Sequence, residues 1–163
     1  MDIIEELRNE LRSEYEITKK FVDRYPDDKN DWKPHEKSMT MKTLVTHVVE
    51  IFAWPEIIMN TEFLDFEKTP YTQPKLRSRA EIQQKLEADY KRGADTLKSL
   101  VPEKLDGTWD IRQGDVVFQA WSKYGALRHA FQQITHHRAQ LGVYYRLNDI
   151  PVPASYGPSA DEH

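Results

Sequence analysis

Cysteine is absent from the 163 residues, which removes disulfides, thiolate nucleophiles and cysteine metal ligands together. Long apolar runs are absent too. No stretch approaches the roughly 20 apolar residues that span a bilayer, and the mean hydropathy is −0.76. No basic stripe is present: 23 Lys and Arg mix with 27 Asp and Glu for a net charge of −4, which argues against a nucleic-acid partner. A glycine-rich phosphate loop, a G-x-S-x-G elbow and an H-E-x-x-H pair are all missing. The opening MDIIEELRNELRSEYE is charged from its second residue and does not read as a secretory signal. These absences predict a cytoplasmic protein with no membrane or nucleic-acid partner. Its length suits one domain over 1–163 that buries a core without staples.

What is present is helical periodicity. Over 3–25, Ile4, Leu7, Leu11, Tyr15, Phe21, Val22 and Tyr25 recur in steps of three and four, with Thr18 filling the gap, so one stripe of a first helix is apolar. Pro26 and DDKND end it. Ser38 or Thr40 can cap a second helix whose stripe runs from Met41 to Met59, and Pro55 inside it predicts a kink one turn earlier. Residues 61–77 carry two prolines and no period. SRAE at 78–81 is a capping box opening a third helix, with Ile82, Leu86, Asp89 or Tyr90, Leu97 and Leu100 on its inner face. LDGTWDIRQGDVVFQAW contains two glycines and a short alternation, which predicts a turn or small hairpin. A fourth helix starts near 118–122 and reaches about Asn148, with Leu127, Phe131, Ile134, Leu141 and Tyr145 inward. A proline-rich tail, 151–163, follows.

Four amphipathic helices predict an all-α fold, a four-helix bundle. The 61–77 link can reach about 55 Å extended, against about 33 Å for a 22-residue helix. The expected bundle therefore has one long crossover, leaving helices two and three parallel.

Three of the six histidines crowd into HAFQQITHH, residues 129–137. Helix positions four apart stack one above the other, close enough to share an ion. No two of His129, His136 and His137 are four apart, and His136 points about 100° from His137. Gln133 lies midway between His129 and His137, so the spaced pair is Gln133 with His137 or His129 with Gln133. A further ligand must come from another helix. His47, three residues after Leu44 and four before Ile51, faces the core of helix two and is the best candidate. A histidine on an apolar face needs a partner of some kind, and a core carbonyl or a glutamine would serve as well as a metal.

DWKPHEKSMTMKTLVTHVVE, ITHHRAQLGVYYRL and PVPASYGPSADE resemble the DinB-like superfamily, also called the YfiT-like metal-dependent bundles, over essentially the whole chain. The resemblance implies a divalent ion, nickel or zinc, held by one histidine of helix two and a pair spaced i, i+4 on helix four. By position these slots are His47, Gln133 and His137. The family pattern has histidine, or in some members glutamate, where Gln133 stands. An amide oxygen is a weaker donor than imidazole or carboxylate, and three neutral ligands leave the 2+ charge uncompensated. Lower metal affinity is the expectation.

The implied activity is a metal-dependent transferase joining a low-molecular-weight thiol to a small electrophilic substrate, or a related hydrolase. Glu50 is a candidate base or orienting acceptor for His47. Arg138, Tyr144 and Tyr124 are candidate contacts for an anionic substrate. A homodimer is expected, with Trp54, Phe63, Phe66 and Trp109 as candidate surface residues, although burial in the core is the default for each. The alternative is a catalytically inactive bundle with an impaired metal site, acting as a structural or interaction protein.

Overall fold

A computed structural model describes residues 2–162. Helix α1, Ile3–Asp23, starts where the Asp2 carboxylate accepts from the amides of Ile4 and Glu5, satisfying N–H groups that the helix itself leaves unpaired. Helix α2, Met41–Glu50, is capped by Thr40 rather than Ser38, its hydroxyl accepting from Thr43 N–H. A 3-10 turn, Ile51–Ala53, then leads into a short helix α3, Trp54–Asn60, with Pro55 near its start. The expected kink one turn before Pro55 is thus a 3-10 segment between two helices.

Helix α4, Arg79–Lys98, is capped by Ser78. The Glu81 carboxylate accepts from Arg77 N–H, one residue earlier than a capping box requires. Strand β1, Phe63–Asp65, lies in the crossover. Strands β2, Thr108–Gln113, and β3, Val116–Ser122, form the expected hairpin, turning at Gly114, whose φ of 58° suits glycine. Helix α5, Lys123–Arg146, follows directly, capped by Ser122.

Hydrogen bonds between elements fix the topology. Arg8 donates to the carbonyls of Leu97 and Lys98, and Arg79 donates to Tyr25 O, so α1 and α4 run antiparallel. Gln73 donates to Thr43 O and Asn30 to Arg77 O. The 61–77 link therefore runs back along the whole of α2 and α3 and starts α4 where α2 starts. Lys123 at the head of α5 reaches Met59 O, and Tyr144 near its end reaches Met39 O; α5 is antiparallel to α2 and α3. The expected crossover, with the second and third helices parallel, is present.

The fold is not purely helical. β1 pairs parallel with β2 and β2 antiparallel with β3, in the order β1-β2-β3, with an irregularity at Ile111/Arg112. The segment 118–122, expected to open the fourth helix, belongs to β3. The sheet closes the end of the bundle where α3 stops and α5 begins: Trp109 Nε1–H donates to Thr61 Oγ1, and Lys123 N–H to Gly107 O. Trp109 is 1% exposed, so it takes the default of core packing and is not part of an exposed surface.

One continuous core joins the five helices, from Ile4 and Leu7 through Leu44, Phe52, Ile58, Ile82 and Leu97 to Phe131 and Tyr145. Gly93 lets α4 press on the 3-10 turn; a Cβ there would lie 2.2 Å from the Phe52 carbonyl oxygen. The C-terminal segment is docked, not trailing. Glu162 pairs with Lys20 and Arg24, and Asp161 with Arg146. Among the described residues no helix is long and apolar enough to cross a membrane.

Candidate functional site

The stripe that buries α2 turns His47 toward α5. The ring of His47 lies 4.6 Å from that of His137, centroid to centroid, at 73°, so side chains 90 positions apart meet edge to face. Burial, and then the neighbouring His137, hold His47 down to a pKa of about 4. His137 is lowered mainly by burial, with His136 adding and the bond to Gln140 opposing. Both rings are therefore neutral near pH 7, the state in which imidazole offers a lone pair to a metal.

Two glutamines bracket His137. Gln140 Oε1 is 2.9 Å from His137 Nδ1, while its Nε2 is 3.2 Å from His136 Nε2. An amide with its nitrogen on His136 presents oxygen to His137, so Nδ1–H of His137 donates to Gln140. This arrangement corresponds to the Nδ1–H tautomer of His137, in which Nε2 is the acceptor. Gln133 Oε1 lies 3.0 Å from that atom. Two acceptors cannot bond each other. In that tautomer Gln133 would present its NH2 to Nε2 when no ion is bound, and with one its oxygen and Nε2 would both face it. Gln140, which holds the His137 ring through Nδ1, did not stand out in the sequence, although its position three residues beyond His137 puts it on the same face.

The fit to a metal rests on the donors of two helices: the His47 and His137 imidazoles, with ring centroids 4.6 Å apart, and the Gln133 amide oxygen 3.0 Å from His137 Nε2. That set suits zinc or nickel in kind, and its lack of a carboxylate makes it a weak example. Among the described residues no three His, Cys, Asp or Glu side chains cluster to hold a metal; the third donor here is an amide.

His47 and Glu50 also stand in the wall of a pocket of about 450 Å3 between α2, α3, α4 and the crossover. Burial raises the Glu50 pKa, and a hydrogen bond from the Tyr71 hydroxyl opposes that rise. Tyr71, rather than His47, is the group bonded to Glu50.

Other expected site residues lie elsewhere. Arg138 is 2% exposed and faces α1, where its Nη2 is 2.6 Å from Glu14 Oε2. Its Nη1 donates to Glu14 O at 3.2 Å and to Thr18 Oγ1 at 3.0 Å. The expected substrate contact is corrected: this guanidinium is consumed by a buried ion pair and does not line the pocket. Tyr144 packs on Trp32 and donates to Met39 O. Tyr124 sits by Pro102 and Leu105, in a groove His47 does not line. His129 stacks on Trp121, centroids 4.6 Å apart, which gives it a packing partner within the protein. Phe63 lies under Arg112, while Trp54 and Phe66 line the pocket.

Comparison with known proteins agrees with this architecture. The DinB family model matches residues 2–163. A DinB-like protein of Bacillus subtilis superposes with a TM-score of 0.72 at 17% identity, covering 93% of this chain and 99% of its own. One from Bacillus cereus ATCC 10987 gives 0.70 at 22% identity, with 93% and 97% covered. A candidate DinB family member from Exiguobacterium sibiricum 255-15 gives 0.70 at 15%, with 94% and 97% covered. No curated protein matches the chain. The structural likenesses speak for the fold, and the family model decides membership: this chain belongs to the DinB family.

Proposed function

We propose that the protein is a divalent-metal enzyme, using zinc or nickel, that transfers a low-molecular-weight thiol to a small electrophile. The observation that carries this reading is the meeting of His47 and His137 at 4.6 Å beside a pocket large enough for a small substrate. His47, His137 and Gln133 would hold the ion. When bound, it supplies Lewis acidity that makes a thiol or water easier to deprotonate.

The chain's own groups account for the rest. Gln140 keeps the Nδ1 proton of His137 engaged, so that Nε2 stays a lone-pair donor. Glu50, on the pocket wall one turn after His47, is a carboxylate whose pKa burial raises, which makes it a stronger base than an exposed carboxylate. Tyr71 holds one of its oxygens and leaves the other free. In the transfer, the S–H proton passes to Glu50, a sulfur–carbon bond forms, and the electrophile's leaving group departs with its electron pair.

Gln133 favours a second reading, a bundle that has kept the scaffold and lost the metal. One titration separates the two. Metal-free native protein, His47→Ala and Gln133→His are each titrated with zinc and nickel and assayed by elemental analysis. The enzyme reading expects one equivalent in native protein, none in His47→Ala and tighter uptake in Gln133→His. Equal uptake by native protein and His47→Ala would discard the site, and no uptake by native protein would leave the emptied scaffold. A screen of small thiols against alkylating electrophiles then tests transfer.

A further inference from the structure

The pocket beside His47 carries information about what it holds. Its volume of about 450 Å3 falls low in the roughly 300–1,000 Å3 range of small-molecule sites. Most of the wall surface is apolar, with Trp54, Ile57, Leu64, Phe66 and Pro70 contributing to it, and hydroxyls of the crossover join His47 and Glu50 in the polar part. The remaining charges on the α4 side are engaged with one another. Asp89, 2% exposed, takes Lys85 on one oxygen and Arg92 Nη1 on the other. The Arg92 Nε–H goes to Glu56, and Glu50 takes the Tyr71 hydroxyl. Both cations already face carboxylates, and the three carboxylates Glu50, Glu56 and Asp89 outnumber Lys85 and Arg92. An anion entering here would lose its hydration without gaining a free cation, which is costly. An uncharged hydrocarbon surface would lose nothing and cover the aromatic wall.

We infer that this pocket binds a neutral, mainly apolar or aromatic molecule, and that the electrophile of the proposed transfer is of this class, its reacting carbon turned toward His47 and Glu50. The assignment of that molecule as substrate rests on the proposed transfer; the binding itself does not.

The test uses two fluorescent probes alike except for charge: neutral N-phenyl-1-naphthylamine and anionic 8-anilino-1-naphthalenesulfonate. They are titrated into metal-free full-length protein, so a failed metal titration leaves this result standing and the reverse also holds. The neutral probe is expected to bind at least about tenfold more tightly than the sulfonate, since burying the charge is penalised. Leu64→Arg, which places an unpaired cation in the wall, should weaken the neutral probe and strengthen the sulfonate. Phe66→Asp, at a position already 44% exposed and so tolerant of change, should weaken both without loss of fold by circular dichroism. Absent binding of the neutral probe, equal or tighter binding of the sulfonate, or neutral binding unchanged in folded Leu64→Arg and Phe66→Asp would overturn the inference.

Discussion

Replacing Arg138 by methionine separates a structural arginine from a substrate-binding one. The guanidinium is 2% exposed and Glu14, its partner across α1, is 5% exposed. Nη2 lies 2.6 Å from Glu14 Oε2, an ionic contact outside hydrogen-bond alignment. The Tyr156 hydroxyl closes the arrangement, accepting from Nη2 at 2.6 Å and donating to Glu14 Oε1 at 2.7 Å. Methionine keeps an apolar stem and removes the charge, leaving a buried carboxylate with one tyrosine. Breaking one side of a buried pair costs about 3–5 kcal/mol. At about 2–4 °C of Tm per kcal/mol for a chain of this size, the expected loss is roughly 6–20 °C. The double variant Glu14→Leu with Arg138→Met removes both charges and should recover most of that loss. Urea and thermal unfolding of metal-free protein near neutral pH, followed by far-UV circular dichroism, measure native protein, Arg138→Met, Glu14→Leu and the double variant. If Arg138→Met costs under about 1 kcal/mol, or if the double variant is as unstable as the two single losses added, the two residues do not act as a pair. An arginine that served substrate would instead leave Tm alone and change only binding or turnover.

Acid should expose His47. Its pKa is held down to about 4 from an ordinary 6.5, so the unfolded chain takes up the proton first, and stability present above about pH 6.5 is lost as pH falls toward 4. The full gap is worth on the order of 3 kcal/mol, less what its partial exposure screens. Native metal-free protein should therefore lose roughly 1–3 kcal/mol more than His47→Gln between pH 7.5 and 4.5 by urea unfolding, and equal losses would contradict the burial argument. Gln140→Leu removes the acceptor from His137 Nδ1 and should weaken zinc uptake about 10- to 100-fold with little change in metal-free Tm; unchanged uptake would mean the ring is held by packing alone. Gly93→Ala gains helix propensity of up to about 1 kcal/mol but drives a methyl into the Phe52 carbonyl, an overpacking cost of about 1–3 kcal/mol. A net fall in Tm is expected, and a rise would show that the 3-10 turn yields freely.

The helices were legible because each carries its own period: Leu127, Phe131, Ile134, Leu141 and Tyr145 are all buried, as their spacing required. The crossover was legible from length alone. The parallel pairing of β1 with β2 was not. Phe63↔Asp110 joins residues 47 apart, and a three-residue strand has no period of its own. β3 misled in another way. Its residues from Val116 to Ala120 are all exposed, so they show no inside-outside alternation, and Phe118 and Trp121 read as the apolar start of a helix. The hydroxyl of Ser122, bonded to Gly125 N–H, marks where the chain changes conformation, a signal present in the sequence but outweighed there by the flanking aromatics.

Arg138 shows how far the same periodicity could have gone. It stands four residues after Ile134 and three before Leu141, in the stripe that faces the core, whereas His137 is turned about 100° from it. A charge on that stripe must be buried, and a buried charge must be paired. Its neighbour in sequence belongs to a different face, with Gln133 four residues before it and Gln140 three after. Spacing could thus have assigned position 138 to the core and 133, 137 and 140 to one polar seam. It could not have named Glu14 as the partner or aimed the seam at His47, because both depend on how α5 settles against α1 and α2. That placement is a property of the packed core, where the 4.6 Å approach of His47 to His137 is decided by side chains such as Leu44, Ile134 and Leu141 that have no chemistry of their own.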